Sequence, residues 1–388
     1  MKIKITLLIA LALVLVLNIN AQVKIGDNPT VINQSAALEV SSTNKGVLMP
    51  RLTNTQMLAI PSPVAGLAIY NTDKKKLCVY NGTVWACTND QYGCTDSKAL
   101  NYDSSATYNN GTCIYNSASV TPTYSNDLSV TIQETSGLAK WNSYLYTHND
   151  SGDKNIYALD TNNGNIVNTY PLGNVANVDW EEISQDNNYF YIGDFGNNAN
   201  GNRTDLRILR IGKTSLINNT PVIDTIKFSY SNQVSFAPTG ANNTDFDCEA
   251  FIVSSDSIFL FTKQWVSGKT SSYSLSKTPG THVAHLKSTL DVQGLITGAT
   301  YLENKRLIAF CGYSNTLQPF IYLLYDFNGT NFFSMNKRKI NINLPFHQVE
   351  GIATTNGLKY FISNEKFATL SINQKLHIID LSTFLNSY

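Results

Sequence analysis

The sequence predicts an all-β protein whose C-terminal two-thirds closes into a small β-propeller, and three observations predict it. A unit recurs five times after residue 126: a short apolar opening strand, a turn, a Tyr/Phe-rich strand, a polar loop and a third strand. The units open at Ser136, Glu181, Glu249, Thr297 and Glu350, spaced 45, 68, 48 and 53 residues apart, which suits one four-stranded blade each. Charged residues make up only 14% of the chain, so hydration falls to the abundant Asn, Ser, Thr and Tyr, as is common in strand-rich secreted proteins.

The chain's 388 residues divide in order. Residues 1–21 carry Lys2 and Lys4, then a run from Ile5 to Leu17 that is apolar except for Thr6. This reads as a secretory signal peptide cut before Gln22, too short to span a membrane with flanks. No later stretch is apolar enough to cross a bilayer, so a soluble secreted or cell-surface protein without a transmembrane segment is expected. Residues 22–89 alternate apolar and polar positions between Pro, Gly and Asn breaks and form a β-rich N-terminal stem module. Within it Asn81-Gly82 is a strong hairpin signal, and the hairpin brings Cys78 to Cys87, predicting a disulfide. Residues 90–115 are too few to bury a core, and a Cys94–Cys113 bridge substitutes for one. Residues 116–125, rich in Ser, Thr, Asn and Pro, read as a linker, and residues 126–388 are the propeller. Cys248 and Cys311 lie inside the repeats, where buried free thiols are favoured over a pair.

Fourth strands are expected at 166–170, 225–230, 283–290 and 333–342. The fifth unit has no room for one before Tyr388, and the alternating stretch Leu128–Ile132 is expected to supply it, closing the ring from the N-terminal side. A six-bladed ring is the alternative, since residues 211–247 are long enough to hide strands.

Charge excludes one class of function. The chain has 28 basic and 28 acidic residues, and losing Lys2 and Lys4 leaves a balance of −2. A nucleic-acid partner needs a basic stripe, and there is none; Lys74-Lys75-Lys76 reads as a solvated turn.

The loops entering the innermost strands and leaving the second strands share one face of a propeller, around its axis. Alignment of the units sets Ser136, Glu181, Glu249, Thr297 and Glu350 at one equivalent position, with Asp179, Asp247 and Gln348 two residues earlier. Carboxylates converging near an axis repel and need a cation, a proton or hydrogen-bond donors. Asp179, Glu181, Asp247, Glu249 and Glu350 are therefore the candidate metal ligands, with calcium as the expected ion; acceptance of backbone N–H groups from the neighbouring blade is the competing use. The ends of the second strands form a second ring. There His148, Asn149, Asp194, Asn197, Lys263, Trp265, Tyr313, Asn364 and Glu365 are candidates for holding a polar ligand such as a glycan or peptide. The chain has no nucleophile elbow, His-Glu-x-x-His motif or glycine-rich phosphate loop, so no residue is assigned as catalytic.

Three segments carry resemblances. Ser35–Val40, Met49–Thr53 and Tyr80–Trp85 resemble the N-terminal module of secreted bacterial surface proteins, implying a tail-fibre-like stem. Tyr92–Asp103 with Asn110–Tyr115 resembles a short cysteine-bounded repeat of such proteins. Asp179–Ile183, Ile192–Asn198, Asp247–Ala250 and Phe261–Lys263 are similar to the phytase-like or SdiA-regulated class of secreted propellers. Related propellers include calcium-dependent phosphoesterases and lactonases, which implies metal-binding roles for Glu181, Glu249 and Glu350. Ser136 and Thr297 depart from that pattern, and no basic cluster for a phosphate accompanies it. The reading is a secreted binding protein recognising a polar ligand on the upper propeller face, with calcium as a possible structural ion. The alternative is a calcium-dependent hydrolase, phosphoesterase or lactonase, at the same carboxylates.

Overall fold

A computed structural model of the chain describes residues 22–28 and 30–385, so the signal peptide expected at residues 1–21 lies outside the described residues. The chain forms two compact units, Met1–Asn89 and Asp90–Tyr388.

In the first unit β1 (Val23–Ile25) pairs in parallel with β2 (Leu38–Val40). A four-stranded sheet follows in the order β3 (Arg51–Leu52), β4 (Ala68–Asn71), β5 (Lys76–Tyr80), β6 (Trp85–Cys87). One turn of helix, α1 (Asn54–Leu58), is started by a Thr53/Gln56 capping box, which satisfies two free N–H groups reciprocally. The β5–β6 turn is set by Asn81, whose Oδ1 accepts the Thr83 and Val84 N–H groups, and by Gly82 at φ +99°. Cys78 therefore lies directly opposite Cys87, and the two are disulfide-bonded. Among the described residues only Met57, Ile69, Cys78, Trp85 and Cys87 form a core, so much apolar surface stays outside, with Val47 62% and Leu48 83% exposed.

The second unit opens with β7 (Tyr92–Gly93) and β8 (Tyr108–Asn109), a parallel pair beside the Cys94–Cys113 disulfide. Two short strands follow, β9 (Ser119–Val120) and β10 (Tyr124–Asp127). Five four-stranded antiparallel sets come next. The first is β11 (Thr135–Trp141), β12 (Tyr144–Asn149), β13 (Asn155–Asp160) and β14 (Ile166–Pro171). The second is β15 (Trp180–Gln185), β16 (Tyr189–Asp194), β17 (Arg207–Gly212) and, after the short helix α2 (Lys213–Ile217), β18 (Ile223–Tyr230). The third is β19 (Asp247–Val253), β20 (Ser257–Lys263), β21 (Thr270–Ser276) and β22 (Gly280–Leu290). The fourth is β23 (Leu295–Leu302), β24 (Leu307–Tyr313), β25 (Pro319–Tyr325) and β26 (Asn336–Ile342). The fifth is β27 (Val349–Thr354), β28 (Lys359–Asn364) and β29 (Lys375–Asp380), completed by β10.

The innermost strands pack in a closed cycle: β11 on β15, β15 on β19, β19 on β23, β23 on β27, and β27 back on β11. The apolar core is correspondingly five layers, each shared by two adjacent sets. Tyr146 and Phe190 lie in the layer between the first and second, Tyr191 and Phe251 between the second and third, Phe261 and Phe310 between the third and fourth. Ile321 and Tyr360 lie between the fourth and fifth, and Leu376 and Leu138 between the fifth and first. Burying each such side chain contributes about 1.5–3 kcal/mol, and because every layer needs both neighbours the ring stands or falls together. This is an all-β propeller.

The strand that closes it is not the one expected. Leu128–Ile132 does not pair; Tyr124–Asp127 does, running antiparallel to β29 from Tyr124↔Ile378 to Asp127↔Lys375. Ser129 Oγ accepts the Thr131 N–H and starts a 3-10 turn over Val130–Ile132, so Leu128 and Ile132 reach the core while Val130 is left 78% exposed. An apolar alternation over five residues served a turn rather than a strand. Residues 116–125, expected as a linker, are also tied down. Ser119–Val120 adds in parallel to the edge of β26, and β10 covers β29.

The cysteine-bounded segment is fastened to the fourth set. The buried Asp96 carboxylate accepts both the Tyr115 hydroxyl, at 2.7 Å, and the Tyr325 hydroxyl, at 2.6 Å, and Asn109 donates to Asn336 at 2.8 Å. Cys248 and Cys311 are buried free thiols.

Candidate functional site

Every innermost strand breaks register with its neighbour near its start, at Ser136/Ala139, Trp180/Glu182, Cys248/Ala250, Ile296/Gly298 and Val349/Gly351. Each break is a β-bulge, which inserts one residue and re-aims a side chain. In four of the five strands the inserted residue is Glu181, Glu249, Thr297 or Glu350. The bulge is what turns these positions out of the alternation of the strand and towards the ring's mouth.

The result is a well of acid. Oxygen atoms of Asp150, Asp179 and Glu181 lie within 4.8 Å of one another, and so do those of Glu181, Asp247 and Glu249; Glu181 belongs to both groups. Glu350 and Glu365 complete the set, in electrostatic reach of Glu249 and Lys263. Two carboxylates at such a distance repel by about 3 kcal/mol at an effective dielectric of about 20, so the metal-free well must hold protons. Burial, with Asp179 beside it, pushes Asp150 up to about 8. Burial and the Glu249, Asp150 and Asp179 charges hold Glu181 well above the usual carboxylate range, and burial with Glu249 does the same to Asp247. Burial raises Glu365 to about 7 and Glu350 well above its ordinary value, although Lys263 opposes both.

Two cations act on these groups, Arg203 on Asp179 from the neighbouring loop and Lys263 within the well. Lys263 Nζ donates to Glu249 Oε1 at 3.0 Å and sits 4.6 Å from the centre of the Trp265 ring and 5.4 Å from that of Tyr313. Burial works against its charge, but Glu249, Tyr313, Glu350 and Asp247 outweigh that and keep it protonated. Trp265 in turn donates Nε1–H to Asp247 Oδ2 at 2.7 Å, and the Asn197 N–H donates to Oδ1 at 2.6 Å. Asp247 is thus positioned from two sides.

The donor set fits a hard cation. It is all oxygen, it contains Asp150 Oδ1 and Glu350 Oε2 as buried acceptors without a donor, and it is shaped by a glycine. A Cβ at Gly196 would lie 2.1 Å from Glu181 Oε1 and 2.4 Å from Asp179 Oδ2, so no other residue leaves these carboxylates where they are. The backbone fixes that approach, since the Phe195 and Gly196 N–H groups both donate to the Asp179 carbonyl.

Directly below, Glu182 does what the competing reading assigned to the bulge residues. Its Oε1 accepts the N–H groups of Leu138, at 3.3 Å, and Ile183, at 2.9 Å, and its Oε2 that of Ala299, at 2.6 Å. These donors come from the innermost strands of the first, second and fourth sets, so the carboxylate sits on the axis and ties non-adjacent strands together. Burial still raises it well above its ordinary value against those three bonds. The hydroxyl-bearing positions act as ties as well. Ser136 Oγ donates to the Glu181 carbonyl and Thr297 Oγ1 to the Val349 carbonyl, each across to the next innermost strand.

Asp179, Glu181, Asp247, Glu249 and Glu350, the expected oxygen ligands, all fall in the well. The residues expected at a ligand-binding rim divide. Lys263, Trp265, Tyr313 and Glu365 line the well. His148 is fully buried, packed edge-on to Trp180 at 5.6 Å, with burial lowering its pKa to about 4. Asn149 donates to the Thr131 carbonyl and to Asp153; Asn197 donates to the Phe246 carbonyl and accepts the Arg203 N–H; Asn364 ties the Asn373 carbonyl and His377 Nε2. Asp194 is clamped by Arg203 at 2.9 Å and Arg207 at 2.7 Å. The three amides and Asp194 hold loops and strands in place, and the His148 ring is buried, with its Nε2 left without a hydrogen-bond partner. Glu182 is the axial carboxylate that the alignment of units did not select, while Asp150, which the alignment sets with His148 and Asn149 at a second-strand end, joins the well as an oxygen ligand candidate. The doubled Glu181-Glu182 was the available signal for Glu182.

Residues 24–99 match the family described as phage tail like trimerisation region. No curated protein matches the chain. Among solved structures, the chain is similar to the glutaminyl cyclase of Myxococcus xanthus, at 10% identity over 69% of this chain and 99% of that one, TM-score 0.42. It is similar to the RRP9 WD40 repeats at 10% identity over 68% and 99%, TM-score 0.38. The β-propeller domain of Myceliophteria thermophila Cps50 (Swd1) gives 9% identity over 62% and 83%, TM-score 0.33.

Proposed function

We propose that the protein is an extracellular recognition module that binds calcium at the axial well and captures a polar ligand, a glycan or peptide, on that face. Two disulfides and the absence of a membrane-length apolar helix among the described residues accord with an extracellular setting. The observation that carries the calcium reading is the sharing of Glu181 by two oxygen triads. Asp150, Asp179, Glu181, Asp247 and Glu249 would hold the ion, with Glu350 in reach. The ion would neutralise a well that is otherwise crowded with protons and leave coordination positions open to hydroxyl or carbonyl oxygens of a ligand. Trp265 and Tyr313 beside Lys263 supply ring faces for it.

A glycan and peptide panel titrated by calorimetry tests this, with and without calcium. Binding that needs calcium and is lost in Glu181→Gln is expected. An unresponsive panel, or binding indifferent to both, would overturn it.

The second reading is a hydrolase, favoured by the same sharing: two triads with a common carboxylate suit a pair of ions flanking a reacting oxygen. Calcium-dependent turnover of generic phosphoesters or lactones, lost in Glu181→Gln, decides for it.

The N-terminal unit is proposed as a stem that joins three chains. Its match to a trimerisation region and the exposed Val47, Leu48 and Leu77 support this. Light scattering should return three chain masses for the whole protein and one for Leu48→Lys; a single chain mass for the whole protein contradicts it.

A further inference from the structure

At the opposite ends of the innermost strands from the acidic well, lysines outnumber carboxylates. A cavity of 620 Å³ lies at the ends of the innermost strands of four sets, lined by the last residues Trp141, Gln185 and Val253 and by Tyr301, next to last in β23. This is within the range of about 300–1,000 Å³ that small-molecule sites occupy. Five charged residues line it: Lys140, Lys213, Lys277, Asp186 and Glu303.

The two carboxylates are already committed. Asp186 accepts the Asn188 and Tyr189 N–H groups, each at 2.9 Å, the Tyr191 hydroxyl at 2.9 Å and Lys277 at 3.3 Å. Glu303 accepts the N–H and hydroxyl of Ser255, each at 3.0 Å. The ammonium groups are less well matched. Lys213 is only 3% exposed, yet its Nζ donates to neutral acceptors alone, Gln185 Oε1 at 2.7 Å and the Asp186 carbonyl at 2.6 Å. Lys140 donates to the Asn142 carbonyl. Neither lysine is hydrogen-bonded to a carboxylate, although the Asp186 charge supports Lys213, whose Nζ also lies 5.1 Å from the centre of the Trp141 ring and 4.8 Å from that of Phe190. Two hydrogen bonds at Lys213 and one at Lys140 use fewer than the three donors an ammonium carries. Half-buried Trp141 and Tyr301 add aromatic surface, and the Asn142 and Asn187 amides add hydrogen-bonding groups suited to hydroxyls.

We propose that this cavity is a second ligand site, for a small acidic sugar whose carboxylate meets Lys140 and Lys213 and whose ring lies against the aromatic wall. The ammonium groups select the negative charge through charge-assisted hydrogen bonds, while the amides and rings select a hydroxylated body over a bare anion. The site is separate from the carboxylate well, because Glu182 occupies the axis between them, so it stands or falls independently of the calcium reading.

Titration of the full chain with D-glucuronate, D-glucose and inorganic phosphate, read by calorimetry in chelator, tests it. Glucuronate is expected to bind with a Kd below about 1 mM, and glucose and phosphate about tenfold more weakly or worse. Lys140→Gln, at a partly exposed position, should weaken glucuronate at least about tenfold with an unchanged melting temperature. Lys213→Met should do the same if its melting curve shows it folded, and Glu181→Gln should bind glucuronate as the parent does. No glucuronate binding, equal binding of glucose or of phosphate, or a loss that follows Glu181→Gln instead of Lys140→Gln would overturn the proposal.

Discussion

The first and fourth sets of the ring differ from the second, third and fifth at a single equivalent position, and the difference separates two uses of one backbone device. All five innermost strands bulge near their start. Where the aligned residue is Ser136 or Thr297, its hydroxyl reaches sideways to a carbonyl of the next strand and fastens the ring. Where it is Glu181, Glu249 or Glu350, the side chain enters a crowded acidic well. A hydroxyl satisfies itself locally at little cost. A buried carboxylate among others cannot, and since Lys263 pairs directly with Glu249 alone, the rest of the well is energetically sensible only if something compensates it.

The largest effect expected from testing this contrast belongs to neither class but to the residue beside Glu181. Glu182→Ala removes the acceptor of three buried N–H groups and should cost about 4 kcal/mol in denaturant unfolding. A loss below about 1 kcal/mol would mean that the carboxylate does not tie the strands.

Next comes the pH dependence of the calcium-free protein. Asp150 and Glu365 titrate in the fold at about 8 and about 7, above the ordinary 3.8 and 4.5. Between those limits the native state holds protons that the unfolded chain has lost, so stability is greatest below about pH 4 for these groups and falls as pH rises towards 8. Saturating calcium should flatten that fall; a calcium-free protein whose melting temperature is level or rising from pH 5 to 8 contradicts the crowding argument.

The smallest effect separates the hydroxyls. Thr297→Val should cost about 1 kcal/mol and leave calcium binding unchanged, whereas a change in calcium affinity would merge the two classes.

Much of this was legible in the chain. The recurring opening strands placed the rings of equivalent residues, and three Glu at one aligned position pointed to the well. Asp150 was placed at the second-strand ends but not among the metal ligands, because nothing distinguishes it, as one loop acid after His148-Asn149, from the many that tie turns. Glu182 escaped because a bulge decides which of two consecutive Glu faces the mouth and which the axis, and a bulge leaves no mark in an alternation only a few residues long. The amides of Asn149, Asn197 and Asn364 misdirected for a related reason. Residue type says that an amide will make hydrogen bonds, but only the surrounding loop says whether it makes them outward or to its own backbone. Leu128–Ile132 shows the same limit for strands, since one 3-10 turn and a short strand both bury residues spaced as Leu128 and Ile132 are.

The most direct measurement is the calcium content of the purified chain after equilibrium dialysis against micromolar calcium, beside Glu181→Gln. The account predicts at least one bound ion per chain in the parent and less than about a tenth of that affinity in the variant, together with a calcium-free melting temperature in the variant no lower than the parent's. A parent that retains no calcium, or a variant that retains as much, would contradict it.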